Sequence, residues 1–589
     1  MAGTVSQRCK GVYYTPDFIA RLLCKESIAR YLSRQLSISM VDAETFLSGN
    51  PLGELKARAC QVDLLLKNIT IVDPAAGQGI MLVSMLEEIA RARVHVLQAM
   101  GLAPEDGQLY HEVATRSLFG IDVDAEAILI ARNSIASTVV NSGHFIARDD
   151  ATIIESHVTI GNSLADLHAG VMQGAFDIVI SNPPYVSYYG NAPTRLIDTE
   201  RNILQQSFEL VDRLNQRINS MNLFIELGIK LLKDGGVLAY IVNKTLCVLP
   251  SYQKTRAFLL ARIKIHKIVI DLNPFDDAIV DTALLWITRD APPPDYHLSW
   301  CSMRGIPLDR GLLPATISDH QVTISITNFK KHKHLEFTYS VYEPILEKME
   351  RARRKMSEIL TLHRGINIGG CSEHFLSPTP LDGRYRMVIR DAKNIQHYRA
   401  WWNDDQGFLV FDQAKERALR AAGKTLVLGD PARYEGPRLF VPEAGNAIRA
   451  AYIDVPLYSA YGILVGKPVH GEDDLKIACA MLNSRAITFY AIEREILRKG
   501  NKATPHAGVK GLAGLPVPAF DSLTRKELVS HVDALLDRHV FTIAPKKYIP
   551  FTREDFDLME RIDRVIFESF GLDAVDVQSI NEAIGSLFK

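Results

Sequence analysis

Apolar runs rich in Ile, Val and Leu recur along the first half of the chain, at 69–72, 118–121, 158–161, 176–180, 237–242, 266–272 and 283–288. Each is short and bounded by polar or glycine-bearing stretches, which reads as a strand rather than a helix. Between several of them the apolar positions shift to a spacing of three and four, over 80–98, 125–138 and 222–233, the last closed by Asp234-Gly235-Gly236. That spacing predicts amphipathic helices, with the glycines as a stop signal. Strands alternating with helices predict an α/β fold on a mainly parallel, doubly wound sheet. Only residues 273–282 join the last two runs, too few for a parallel crossover, so the seventh strand is expected to enter antiparallel. After Ala291-Pro292-Pro293-Pro294 the alternation breaks down.

Composition narrows the class. A chain of 589 residues, 47% apolar and 23% charged, with no long uninterrupted apolar segment, is expected to be globular, with roughly two to four domains and no membrane span. The opening Met-Ala-Gly-Thr-Val-Ser-Gln-Arg lacks the apolar stretch of a secretory signal. Seven cysteines (Cys9, Cys24, Cys60, Cys247, Cys301, Cys371 and Cys479) are scattered without a close pair. Both features fit a reducing cytoplasm and predict neither a disulfide framework nor a bound metal. A net charge near −1 excludes a globally basic nucleic-acid binder, so any DNA contact must come from local patches.

The candidate chemistry sits at strand ends. Asp73-Pro74-Ala75-Ala76-Gly77-Gln78-Gly79 follows the first run and opens a helix. Its glycines allow close approach of backbone to a ligand, and Asp73 offers a carboxylate to an ammonium group. The third glycine of a dinucleotide loop is missing. Asp122, closing Phe119-Gly120-Ile121-Asp122, stands where an acid accepts hydrogen bonds from both hydroxyls of a ribose. A ribose and an amino acid on one ligand point to S-adenosylmethionine. Asn182-Pro183-Pro184-Tyr185 closes the fourth run. Consecutive prolines supply carbonyls without N–H donors, and Asn182, standing before a proline, is held extended. An acceptor-rich pocket beside a tyrosine ring suits an amino group on a planar carrier: adenine, cytosine or a carboxamide. Taken alone, the four residues also fit a rigid turn with a packed tyrosine.

In this order the motifs resemble those of the class I S-adenosylmethionine-dependent methyltransferases, which have a Rossmann-like seven-stranded mixed sheet. More narrowly, the chain resembles the gamma-class adenine-specific DNA N6-methyltransferases of the TaqI-like and Eco57I-like kind. The resemblance implies that Gly11-Val12-Tyr13-Tyr14-Thr15-Pro16-Asp17-Phe18-Ile19-Ala20 folds over the methionine end of the cofactor, with Thr15 at its carboxylate. Thr15-Pro16 also reads as the start of a helix. Asp73, Pro74, Ala75, Gly77, Gly79, Asp122 and Asn182 are the implied cofactor-binding residues. For the cofactor adenine the family usually has an aspartate where this chain has Asn162, and Asp166 is the nearby substitute. The implied catalytic group is Asn182, Pro183 and Tyr185, with Phe275 of Asn273-Pro274-Phe275-Asp276-Asp277 as a second aromatic against the target base.

The implied reaction is site-specific transfer of a methyl group to the N6 amino group of an adenine flipped out of double-stranded DNA. Cytosine N4, RNA and protein amides are the alternative acceptors. Domains are expected at 1–335 (catalytic), 336–525 (an α+β target-recognition domain) and 526–589 (a helical extension). Leu362-His363-Arg364-Gly365-Ile366-Asn367-Ile368-Gly369-Gly370, a second stretch over 477–485 and Leu515-Pro516-Val517-Pro518 carry the resemblance in the second part. Among the basic clusters, Lys330, Lys331 and Lys333 are candidate phosphate contacts, Arg351, Arg353, Arg354 and Lys355 read as a solvated helix face, and 494–506 is expected to touch DNA. The insertion 190–220 is expected to close over the base or the DNA. Implied partners are double-stranded DNA and a separate cognate restriction endonuclease or other defence-system proteins, in prokaryotic cytoplasm at the nucleoid. No fused nuclease is expected, since the cofactor segment already begins at Gly11.

Overall fold

In the computed structural model the apolar runs become β1 (Ile71–Asp73), β2 (Leu118–Asp122), β3 (Val158–Ile160), β4 (Phe176–Ser181), β5 (Leu232–Asn243), β6 (Lys264–Leu272) and β7 (Thr282–Thr288). The residues described are 15–49, 57–166, 172–185, 204–211, 220–274, 281–304, 306–497, 505–539, 541–543 and 550–587. The seven strands lie in the order β3-β2-β1-β4-β5-β7-β6. Pairing is parallel from β3 through β5. β7 runs antiparallel between β5 and β6, as the short connection before it requires. This is the mixed α/β sheet with an antiparallel seventh strand that the sequence predicts.

Helices cover both faces, so β4 and β7 are buried at every position, and Ile178–Ile180 and Ala283–Ile287 read as continuous apolar runs instead of alternating ones. One face packs on α1 (Asp17–Leu36), α2 (Ile80–Ala99) and α3 (Ala125–Asn141), through Ile19, Leu23, Met85, Ile89, Ala131 and Ile135 against Ile178, Ile180 and Ile241. The other packs on α4 (Ser220–Leu231), where Leu223, Phe224 and Leu227 meet Val179, Leu238 and Tyr240.

Two more strands, β8 (His297–Ser302) and β9 (Val322–Ser325), extend the seven predicted to nine. β6 would otherwise expose a row of unpaired N–H and C=O groups; β8 takes them in parallel register, from Lys267 opposite Ser299 to Ile270 opposite Ser302. β8 is short and follows three prolines, so its periodicity is masked, although Leu298 and Trp300 are buried beside exposed His297.

The chain divides into two compact units, Met1–Tyr339 and Ser340–Lys589. The second holds a four-stranded antiparallel sheet of Leu360–Arg364, Ile463–Pro468, Arg438–Pro442 and Ala451–Ile453. A second sheet joins Leu376–Ser377, Phe408–Val410, Tyr385–Ile389 and Leu457–Ser459. Helices Ser522–Arg538, Arg553–Ser569 and Ala574–Ile584 share one core with earlier residues, Leu528, Ile562 and Ile580 packing with Ile345, Leu439 and Phe489. Arg354 and Lys355 are not on a helix face: the helix ends at Glu350, and these two residues pair antiparallel with Val517 and Pro516. A partner distant in sequence decides this, which local periodicity cannot register. Among the described residues no helix is long and apolar enough to cross a membrane.

Candidate functional site

β1 ends on Asp73, which is 2% exposed. Its Oδ1 accepts from the Ala75 N–H at 3.0 Å and from the Ser181 hydroxyl at 2.7 Å. Burial pushes this carboxyl up to about 7; the two donors pull it down only part of the way, and the nearby Asp122 charge adds to the rise. Such a group is poised to gain from a cation. The loop then turns through Gly77 at φ +52° and Gly79 at φ +83°, where other residues are strained. A Cβ on Gly79 would stand 2.8 Å from Ala131 Cβ, so glycine lets the start of α2 lie against α3. A Cβ on Gly77 would meet nothing within 4 Å, so that side of the loop is open.

Asp122, at the end of β2, clamps the same loop. Its Oδ2 accepts from the Gly77 N–H at 2.8 Å and its Oδ1 from the Asp124 N–H at 2.9 Å. Each carboxylate oxygen can take a second donor, so both remain open to hydroxyls. Val123 follows it, 70% exposed, an apolar surface beside the acid. The loops after β1 and β2 meet the end of β4 at the point where the strand order reverses, the crevice in which open α/β sheets bind ligands.

At the end of β4, Asn182 is fixed at both ends of its amide. Nδ2 donates to the Thr15 hydroxyl at 3.2 Å, while Oδ1 accepts from the Tyr185 hydroxyl at 3.0 Å. The same hydroxyl lies 3.2 Å from the Ile241 carbonyl of β5, so one proton is shared between two acceptors. Thr15 makes no side-chain cap on α1; Pro16 takes that position, and the hydroxyl is turned to Asn182 instead. Pro183 is buried, and the Pro184 carbonyl accepts from the Ser220 hydroxyl at the start of α4. Ser181 links the two motifs, since it precedes Asn182 and donates to Asp73.

Asn162 is exposed, with Oδ1 accepting from the Leu164 N–H at 3.2 Å, while its neighbour Ser163 donates to the Pro74 carbonyl at 2.6 Å. Phe275, the segment before Thr15, the Asp166 side chain, and Arg498, Lys499 and Lys502 lie outside the described residues, as does most of the insertion. One described piece of that insertion is tied down: fully buried Glu226 of α4 accepts from the Glu209 and Leu210 N–H groups at 2.9 Å each. Arg494 is engaged within its own unit by Glu343, at 2.9 and 2.7 Å, and by Glu350 at 2.7 Å. Sequence reasoning missed Ser181, the Ile241 carbonyl and Val123; of these only Val123, an apolar residue directly after the strand-end acid, left a local signal. Among the described residues no group of His, Cys, Asp and Glu could hold a metal ion.

Residues 116–275, from just before β2 through Asn182 to the loop after β6, match the family model of Eco57I restriction-modification methylases. The putative type II restriction enzyme and methyltransferase RM.MjaORFECS2P of Methanocaldococcus jannaschii is 27% identical over 181 residues, covering 27% of this chain and 15% of its own. The type II methyltransferase M.TthHB8I of Thermus thermophilus is 32% identical over 85 residues, covering 14% of this chain and 20% of its own. The matched stretch thus spans at most a fifth of either relative. Among solved structures, the Type IIL restriction-modification enzyme MmeI in complex with DNA superposes with a TM-score of 0.58 at 14% identity, over 90% of this chain and 75% of that one. The Type ISP enzyme LlaBIII bound to DNA gives 0.52 at 10% identity, over 90% and 39%. At these identities the likeness is one of fold.

Proposed function

We propose that the chain is a site-specific methyltransferase acting on the N6 amino group of an adenine turned out of double-stranded DNA, with S-adenosylmethionine as methyl donor. The observation that carries this reading is the Tyr185 hydroxyl on Asn182 Oδ1 at 3.0 Å: a donor already sits where an amino N–H would bond, beside a carboxylate suited to the donor's ammonium end. The names of the relatives, restriction-modification methyltransferases, and of the DNA-bound neighbours support DNA as the substrate.

The residues fit the cofactor. Among the described residues both hydrogen bonds to Asp73 land on Oδ1, which leaves Oδ2 for an ammonium group, and Asp122 keeps acceptor capacity for a ribose. Thr15, Pro74, Ala75, Gly77 and Gly79 line the same edge, Val123 offers a face for the cofactor adenine, and Asn162 or Asp166 would take its amino group. When bound, S-adenosylmethionine supplies an electrophilic methyl group on a sulfonium centre.

The chain's own task is to sharpen a weak nucleophile. The N6 lone pair is delocalised into the purine ring; acceptance of its hydrogens by Asn182 Oδ1 and the Pro183 carbonyl favours a tetrahedral nitrogen with the pair exposed. Thr15 keeps Oδ1 aimed by holding the other end of the amide. Base entry replaces the Tyr185 hydroxyl on Oδ1, and the ring of Tyr185 then stacks on the base, with Phe275 as its second aromatic wall. Positioning and fixed dipoles carry the step, with no covalent intermediate; as the N–C bond forms, the amino group gives up one of its two hydrogens as a proton to solvent. The second unit is the reader of the recognition sequence.

The test is incubation with isotopically labelled cofactor and DNA, followed by nuclease digestion and mass spectrometry. N6-methyladenine is expected. N4-methylcytosine, label in RNA or protein, or no label at all would overturn the assignment.

A further inference from the structure

Arg364 ends the first strand of the antiparallel sheet in the second unit, within the sequence His363-Arg364-Gly365-Ile366. Its side chain is 56% exposed, yet it is not loose. Nε lies 3.3 Å from Oε1 of Glu443, a residue only 2% exposed, and the guanidinium carbon sits 5.8 Å from the centroid of the Tyr461 ring. Tyr461 is itself 55% exposed, on the turn before the Ile463–Pro468 strand. His506 approaches the other oxygen of Glu443, Nε2 to Oε2 at 3.8 Å.

The backbone holds this group together. Gly365 donates to the Ile463 carbonyl at 3.0 Å, Ile366 to Ser459 at 2.8 Å, Tyr461 to Ile366 at 2.8 Å and Glu443 to Gly462 at 2.8 Å. A Cβ on Gly365 would stand 2.4 Å from the Ala460 oxygen and 2.6 Å from that of Ile463, so the strand lies flat on the turn only because residue 365 has none. Among the described residues the two terminal nitrogens of Arg364 carry no hydrogen bond. The result is a planar two-pronged donor, anchored at Nε by Glu443, set beside the Tyr461 ring and more than half exposed.

We propose that Arg364 reads the edge of a guanine in the DNA recognition sequence, its fork aimed by Glu443 and supported by Tyr461; this rests on the reading of the chain as a DNA methyltransferase. Guanine offers O6 and N7 in the major groove at the spacing of a guanidinium fork. A phosphate contact needs charge more than direction, and here the buried Glu443 carboxylate offsets the charge while fixing the direction. That balance sacrifices nonspecific attraction for orientation, which is what base readout requires.

The experiment compares the full-length wild type with Arg364→Ala, Arg364→Lys and Tyr461→Ala on a randomised duplex library, reading methylated sites by sequencing and rates against salt. Arg364→Ala is expected to lower discrimination at one G·C pair by roughly 5- to 150-fold and leave the other positions unchanged. Arg364→Lys, which keeps the charge without the fork, relaxes the same position, and Tyr461→Ala weakens discrimination there and nowhere else. A uniform loss over all sequences with the salt slope reduced by about one would identify a phosphate contact and overturn the assignment. An unchanged motif, or a wild-type motif in Arg364→Lys, would do the same. If Arg364→Ala fails to fold, the other two variants decide. A wild type that methylates no DNA defeats the broader reading and this one with it, and is distinct from a wild type with a motif that the variants share.

Discussion

Asp73 predicts a cofactor affinity that depends on pH with a definite sign. Its carboxyl, burdened by burial, titrates at about 7 in the cofactor-free protein. A ligand ammonium can pair only with the ionised form. About nine-tenths of the molecules carry that form at pH 8 and about one-tenth at pH 6, so the apparent Kd for S-adenosylmethionine should rise about tenfold between them. Binding at pH 6 should also release close to one proton, and almost none at pH 8. The same displacement acts on stability. Between about pH 4, where an unfolded aspartate ionises, and about pH 7 the folded chain holds a proton that the unfolded chain has lost, so stability falls as pH rises through this window, by on the order of 4 kcal/mol. Asp73→Asn removes the term: without cofactor it should melt above wild type at pH 8 and close to it only at about pH 4, while binding cofactor more weakly and with a flat pH profile. Calorimetric titrations at pH 6, 7 and 8, in buffers of different ionisation enthalpy, measure both affinity and proton release. Equal affinity across the range, or proton uptake on binding, would refute the role assigned to Asp73.

Asn182→Ala should lower methyl transfer by roughly 100- to 1000-fold, the scale of losing one aimed hydrogen-bonding group, with cofactor affinity by calorimetry changed only a few-fold. Tyr185→Phe should cost about 1 kcal/mol in chemical denaturation yet hold a flipped base at least as well, because the Tyr185 hydroxyl no longer competes for Asn182 Oδ1; Tyr185→Ala should lose the stacking-dependent fluorescence change of 2-aminopurine at the target. Gly79→Ala, with its Cβ 2.8 Å from Ala131 Cβ and a backbone at φ +83°, should lower stability by roughly 2–4 kcal/mol, seen as a drop in Tm. Gly77→Ala, whose Cβ meets nothing within 4 Å, should melt nearer to wild type but lose about tenfold or more in cofactor affinity, since that Cβ points into the space a ligand would use.

Much of the first unit was legible locally. Strand-end motifs are written in neighbouring residues: a β-branched run stops, an acid follows it, glycines permit a tight turn, prolines stiffen an asparagine. That is why the α/β sheet with an antiparallel seventh strand, the Asp73 loop, Asp122 and Asn182 could be read before any contact was known. β8 escaped because its signal is short and its reason for pairing is the open edge of β6. The expected helix face at 351–355 lies past the helix end, and its last two residues, Arg354 and Lys355, became a strand for a similar reason, a pairing with Pro516–Val517.

Side-chain partners were another matter. That Asn182 is aimed by Thr15, that Ser181 supports Asp73, that the Tyr185 hydroxyl is shared with Ile241, and that Arg494 is engaged by Glu343 and Glu350 while Arg364 is turned outward on Tyr461 all depend on which residue a side chain meets across the fold. The sequence by itself determined the alternation of elements and the chemical groups at their ends, because propensity, turn chemistry and backbone restriction act within a few residues. Only the tertiary structure decided which groups hold one another, because strand pairing brings together residues far apart in the chain, and burial then sets whether a carboxyl such as that of Asp73 keeps its proton.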